Sequence, residues 1–233
     1  GNHPELPVFV GEMPLDVHAP GCYTSQAEMK RYNRRNEQLA DAAERSAVIA
    51  DWMGAVPYPK EALNDAWKRF LWHQFHDDLT GTSIWEAYTY SWNDEFLAQG
   101  QFCDVILASA GAAASVMDTR AKGSPVLVYN PAAYSRRSLV EATVDLPAEA
   151  EGVAVYAPDG KTVPAQIVAR DGARATVLFA AAMEPVSYAV YDVRAGKAGK
   201  GKVLRASGNT LENRVYKVTL DANGDIASVI DKR

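Results

Sequence analysis

Across Asp118-Thr119-Arg120-Ala121-Lys122-Gly123-Ser124 the spacing of apolar residues changes from a helical period to a period of two. A chain with such a break is built from two kinds of layer, helices packed on helices and then sheet packed on sheet. The boundary is set at residue 121. Residues 25–121 are expected to be a helical domain and residues 122–233 a β domain.

The helical signals come first. Ser25-Gln26-Ala27-Glu28 has the form of a capping box, and no Gly or Pro follows until Gly54. Leu39, Ala42, Ala43, Ala47 and Ile49 supply a weakly amphipathic face. A second helix is expected to open at Pro59, because proline is well tolerated at the first helical position. Leu63, Ala66, Trp67, Phe70, Leu71 and Phe75 recur along it at spacings of three and four, and Gly81 ends it. A second capping box, Ser83-Ile84-Trp85-Glu86, opens a third helix. Its apolar residues, Trp92, Phe96, Leu97, Phe102, Val105, Ile106 and Leu107, carry it to about Met117. Short links between long helices imply an antiparallel three-helix bundle.

Beyond the break, Val140, Ala142, Val144 and Leu146 alternate with Glu141, Thr143 and Asp145, as in a half-buried strand. Asp159-Gly160, Asp171-Gly172 and Asn223-Gly224 are tight-hairpin dipeptides between strand patterns. The last sets Tyr216, Val218 and Leu220 on one arm against Ile226 and Val229 on the other. The second half therefore reads as a partial antiparallel β-sandwich, with its final strands expected to lie outside this chain. Lys197-Ala198-Gly199-Lys200-Gly201-Lys202 reads as a solvated loop. The proline- and glycine-containing stretch 1–24 reads as loop and strand remnants, and the chain as a whole as an excised piece of a larger protein.

Composition narrows the function classes. Of the 233 residues 48% are hydrophobic and 23% charged, which is a globular balance. With 24 basic and 29 acidic residues the net charge is −5, so nothing favours nucleic acid or an anionic membrane as partner. No apolar run approaches the roughly 20 residues a membrane span needs. Cys22 and Cys103 match no metal or redox spacing, and one disulfide or two free thiols fit equally. No glycine-rich phosphate loop and no Gly-x-Ser-x-Gly elbow occurs.

The chemistry concentrates in His73-Gln74-Phe75-His76-Asp77-Asp78-Leu79-Thr80-Gly81-Thr82-Ser83. On the expected helix this puts two carboxylates at a C-terminal end, where the dipole disfavours them by up to about 1 kcal/mol. At about 100° per residue, His73 and Asp77 lie roughly 40° apart and His76 about 60° beyond His73. One helix side then offers a divalent metal an imidazole nitrogen and a carboxylate oxygen. The ordinary alternative is a solvated flank, or side chains bonded to a neighbouring loop. Trp67, Trp72, Trp85 and Trp92 read as bundle core at helical spacing, with a sugar-stacking platform as the alternative. His3 and His18 have no local partner.

Gln74-Phe75-His76-Asp77-Asp78-Leu79-Thr80-Gly81-Thr82-Ser83 resembles the signature of glycoside hydrolase family 38, the α-mannosidases. Tyr23-Thr24-Ser25-Gln26-Ala27 with Lys30-Arg31 resembles that family's exit from its catalytic barrel into a helical domain. Val128-Tyr129-Asn130-Pro131 resembles the start of its β-rich region. Leu211-Glu212-Asn213, Tyr216-Lys217-Val218 and Gly224-Asp225-Ile226 resemble a later β segment. The motifs stand in the family's order over most of the chain.

The resemblance implies that residues 1–24 are the end of a catalytic barrel, 25–121 the helical middle domain, and 122–233 the first part of a β-sandwich domain. It implies that His76 is a zinc ligand, completing a site whose other ligands come from the barrel. Asp77 is implied to bind sugar hydroxyls of mannose-containing glycans beside the metal. Nucleophile and acid belong to the barrel, so the parent would be a retaining, zinc-dependent glycosidase. By itself the fragment is expected to be inactive and to bind no zinc tightly. Phe75, where animal members often carry histidine, points to a bacterial-type branch, periplasmic or cytoplasmic. The rival reading is a non-catalytic helical spacer carrying a carbohydrate-binding β-sandwich.

Overall fold

The computed structural model describes residues 10–11, 21–22, 24–197 and 205–233. His3, His18, Tyr23, nearly all of the leading stretch 1–24 and most of the lysine-glycine loop lie outside the described residues. Two compact units divide between Val116 and Met117. The first holds α1 (Ala27–Trp52), α2 (Lys60–Trp72) and α3 (Trp85–Val116). The second holds only antiparallel strands.

Within the helical unit α2 runs against both neighbours. Arg69 near its end meets Asp94 near the start of α3, while Pro59 and Ala62 at its beginning lie with Val105 and Ser109. α1 and α3 are consequently parallel to each other and pack most extensively together. Their seam is a row of small residues at alternating three- and four-residue spacing. On α1 it is Asn36, Ala40, Ala43, Ala47 and Ala50, and on α3 Ser91, Glu95, Ala98, Phe102 and Val105. Leu63, Ala66 and Phe70 of α2 close the core, where Trp67 packs edge-on against Phe102 at 5.7 Å.

Neither capping box forms. α1 is capped by Gln26 in the left-handed region (φ 51°) with no side-chain bond, because Ser25 Oγ donates instead to Gly81 O at 2.9 Å. Ser83 Oγ turns to Asp78 Oδ1 at 3.4 Å. The second helix also stops well before Gly81, at Trp72. The tryptophan expectation needs the same revision. Trp67 packs in the core, whereas Trp72, Trp85 and Trp92 are exposed. The buried stripe of α2 passes through Leu63, Ala66 and Phe70, so Trp72 points roughly 200° away from Phe70.

The β unit contains β1 (Ser124–Asn130), β2 (Arg136–Asp145), β3 (Val153–Tyr156), β4 (Thr162–Val163), β5 (Ala165–Asp171), β6 (Arg174–Met183), β7 (Ser187–Ala195), β8 (Arg205–Ser207), β9 (Thr210–Glu212), β10 (Tyr216–Leu220) and β11 (Ile226–Asp231). Two sheets, in order β1-β7-β3-β4 and β2-β6-β5, form the sandwich, and a third runs β11-β10-β9-β8. Val153, Val155, Tyr191 and Val193 of the first sheet meet Val177, Phe179, Ala181 and Met183 of the second. On β2 it is Val140, Ala142 and Val144 that face this core, and Glu141, Thr143 and Asp145 that face away. Asp159-Gly160, Asp171-Gly172 and Asn223-Gly224 each close a hairpin, with the glycines at φ 79°, 56° and 89°. Buried Asn130 fastens the exit of β1. Its amide donates to Tyr134 O and Glu184 O, and its Oδ1 accepts from Ala132 N. Cys22 and Cys103 are free thiols.

Candidate functional site

The residues from His73 to Ser83 form a chain of turns, not the end of a helix. His73 N, Gln74 N and Phe75 N reach back only three residues, to Phe70 O, Leu71 O and Trp72 O. Asp77 O then accepts from both Thr82 N and Ser83 N at 3.0 Å. No glycine or proline breaks α2 at Trp72; its last carbonyls are taken by the turn amides, and contacts from elsewhere in the unit hold the turns that follow. Tyr88 Oη on α3 donates to Asp77 O at 2.9 Å and accepts from Ser83 N at 3.0 Å. Gly81 sits at φ 86°, and a Cβ there would meet Ser25 O at 2.7 Å. This removes the apparent conflict with the helix dipole, since Asp77 and Asp78 lie past the helix end.

The turns also overturn the shared helix side. His73 is 3% exposed, with Nδ1 at 2.9 Å from Asp78 Oδ2 and Nε2 at 3.4 Å from Asp94 Oδ2. Asp78 is buried, and its Oδ1 accepts from Ser91 Oγ at 3.2 Å. Asp94 is in turn held by Arg69 Nη1 at 2.8 Å. His76 and Asp77 face the other way, with side chains 77% and 43% exposed and Nε2 3.3 Å from Oδ2. The Phe75 ring lies 4.2 Å from the His76 ring, and Thr82 Oγ1 donates to Asp77 Oδ1 at 2.6 Å. One imidazole and one carboxylate are therefore presented side by side on a turn fixed from beneath.

Tyr88, Ser91 and Asp94 support the turn, a role that the sequence reading did not assign to them. The available signal was polar residues at stripe positions of α3, where Ser91 and Glu95 interrupt the row running through Tyr88, Ala98 and Phe102. Imidazole and carboxylate are zinc donor types, but a zinc site takes four ligands, or three and a water. Among the described residues no three His, Cys, Asp or Glu side chains converge to hold a metal. His76 and Asp77 supply two donors, fewer than a zinc ligand set. None of the described helices is long and apolar enough to cross a membrane.

The bundle, the clamped turn and the following sandwich define a helical segment followed by a β segment. They superpose on an α-mannosidase from Enterococcus faecalis with a TM-score of 0.71 at 22% identity, covering 91% of this chain and 28% of that one. A glycosyl hydrolase family 38 protein from Enterococcus faecalis matches with the same score over 30% of its length. The family model for the α-mannosidase middle domain matches residues 18–110. Curated relatives include an α-mannosidase of Saccharomyces cerevisiae, 37% identical over 91 residues, and Alpha-mannosidase 2C1 of Mus musculus, 37% identical over 81. These stretches are 37% and 34% of this chain, which spans 8% of the length of each relative. Residues 18–110 thus match an α-mannosidase middle domain, and the fold of the chain is shared with glycoside hydrolase family 38 structures.

Proposed function

We propose that His76 and Asp77 are this chain's share of the sugar-binding site of a zinc-dependent, retaining α-mannosidase acting on mannose-containing glycans. The observation that carries this is their outward presentation, adjacent and exposed, on a turn locked by Tyr88, Gly81 and the buried His73–Asp78 pair. His76 Nε2 would hold one zinc position, and Asp77 would accept hydrogen bonds from sugar hydroxyls beside it. Bound zinc would supply Lewis-acid binding of those hydroxyls. The other ligands, the nucleophile and the acid would come from a catalytic barrel that these residues do not include. Retention of configuration follows the two-carboxylate route through a covalent glycosyl-enzyme, whose carboxylates would both belong to that barrel.

In the full-length enzyme, His76→Ala is expected to strip zinc and to lower turnover by more than the roughly 10–100-fold typical of outer-sphere losses. Because the side chain is exposed, the melting temperature should match that of the zinc-free wild-type enzyme. Retained zinc and retained turnover would remove His76 from the site. The 233 residues by themselves should neither hydrolyse an α-mannoside nor hold zinc tightly in calorimetric titration. Nanomolar zinc binding would show that the site is complete without the barrel.

A further inference from the structure

Glu95 is fully buried at the α1–α3 seam, opposite Asn36, which is equally buried. Asn36 Nδ2 donates to Glu95 O at 3.0 Å and to Glu95 Oε2. Both donor hydrogens of the amide are thereby used. The two remaining oxygens, Asn36 Oδ1 and Glu95 Oε1, are buried with no partner. Both are acceptors in an ionised Glu95, so neither could satisfy the other. Leaving two such atoms unpaired in a seam closed to the surface would cost more than the pair gains. A single proton on Oε1 turns it into a donor and resolves both.

We propose that Glu95 is a neutral carboxylic acid in the folded protein, its proton on Oε1 donated to Asn36 Oδ1. Acid and amide then close a two-bond ring that clamps α1 to α3. Burial is the main force holding the proton, and it pushes the Glu95 carboxyl up to about 7. The titratable groups facing it are His73 and Asp78 of the turn and Asp94 of its own helix. Arg69 of α2 is bonded to Asp94. His73 favours the ionised form and the two aspartates the neutral one. Loss of the proton to solvent returns two unpaired acceptors and a buried charge to the seam. The ring also pairs Asn36 with one position on α3, fixing the register of the two helices.

The sign follows from a folded value raised above the ordinary 4.5 of a glutamate. The stabilisation is fully present below the ordinary value, is lost as pH rises through about 7, and is flat above that. Glu95→Gln supplies a permanent N–H donor at the same place. Infrared spectra of the chain should show a buried protonated-carboxyl C=O band that bleaches near neutral pH and is missing in Glu95→Gln. The decline in urea midpoint between about pH 5 and pH 8 should likewise flatten in that variant. A wild-type spectrum without the band at about pH 5 would overturn the proposal. So would a Glu95→Gln variant with the wild-type pH slope, and in that case Oε1 would be met by Gln99 Nε2, a buried donor one turn along α3 with no partner. If Glu95→Gln does not fold, the wild-type band and its titration decide alone. The clamp is independent of the mannosidase assignment.

Discussion

Gly81 is where the turn beneath the candidate site meets α1, and it has no room for a side chain. Its φ of 86° is strained for any L residue, and a Cβ would sit 2.7 Å from Ser25 O. Gly81→Ala should therefore destabilise the helical unit by about 2–3 kcal/mol, read as a drop in urea midpoint of the far-UV signal. The two histidines of the same segment should behave oppositely. Asp78→Ala leaves a buried His73 nitrogen without its partner and is expected to cost about 1–3 kcal/mol. His76→Ala removes an exposed ring and should stay within about 0.5 kcal/mol. If both were neutral in denaturation, the inward–outward division of the turn would be wrong.

At the scale of elements, α3 shows why its buried face was hard to read. It buries Tyr88, Ser91, Glu95, Ala98, Phe102 and Val105 while leaving Phe96, Leu97 and Leu107 exposed. A search for large apolar residues selects the wrong side. The seam uses small residues because α1 brings a row of alanines against it, and close backbones leave no space for leucines. Phe102 is the largest exception, filling the space against Trp67 and Phe70. Phe102→Ala is expected to cost about 3–5 kcal/mol, and Phe96→Ser less than about 0.5. Equal losses in thermal melts would contradict this facing.

The β elements were more legible, because strand facing depends on parity alone. β2 alternates as its sequence does. The β10–β11 hairpin adds one irregularity. Ile226 and Val229 have opposite parity, yet they pair with Leu220 and Val218, which share one face. A bulge between Thr219 and Leu220 absorbs the extra residue.

For the molecule as a whole, each unit carries a hydrophobic core of its own, centred on Phe102 in one and on Phe179 and Tyr191 in the other. Phe179→Ala should lower the melting of the β unit by about 3–5 kcal/mol in stability. Combined with Phe102→Ala its effect should be additive within about 0.5 kcal/mol. Strong coupling between the two, measured as a double-mutant cycle, would show that the cores are not separate.

The sequence by itself determined that three helices precede a β region, the three hairpin turns and the contiguous His76-Asp77 motif. Each of these is written in residues close together, through periodicity, positive-φ dipeptides or a contiguous motif. Only the tertiary structure decided that α2 ends at Trp72, that His73 and Asp78 turn inward, and that His76 and Asp77 turn out. Those directions depend on a few turn dihedrals, held by Ser25 just before α1 and Tyr88 of α3, which lie 56 and 11 residues away from the groups they bind. Local propensity carries no record of such bonds, so the polar cluster of the turn could be read from the chain while the side each residue faces could not.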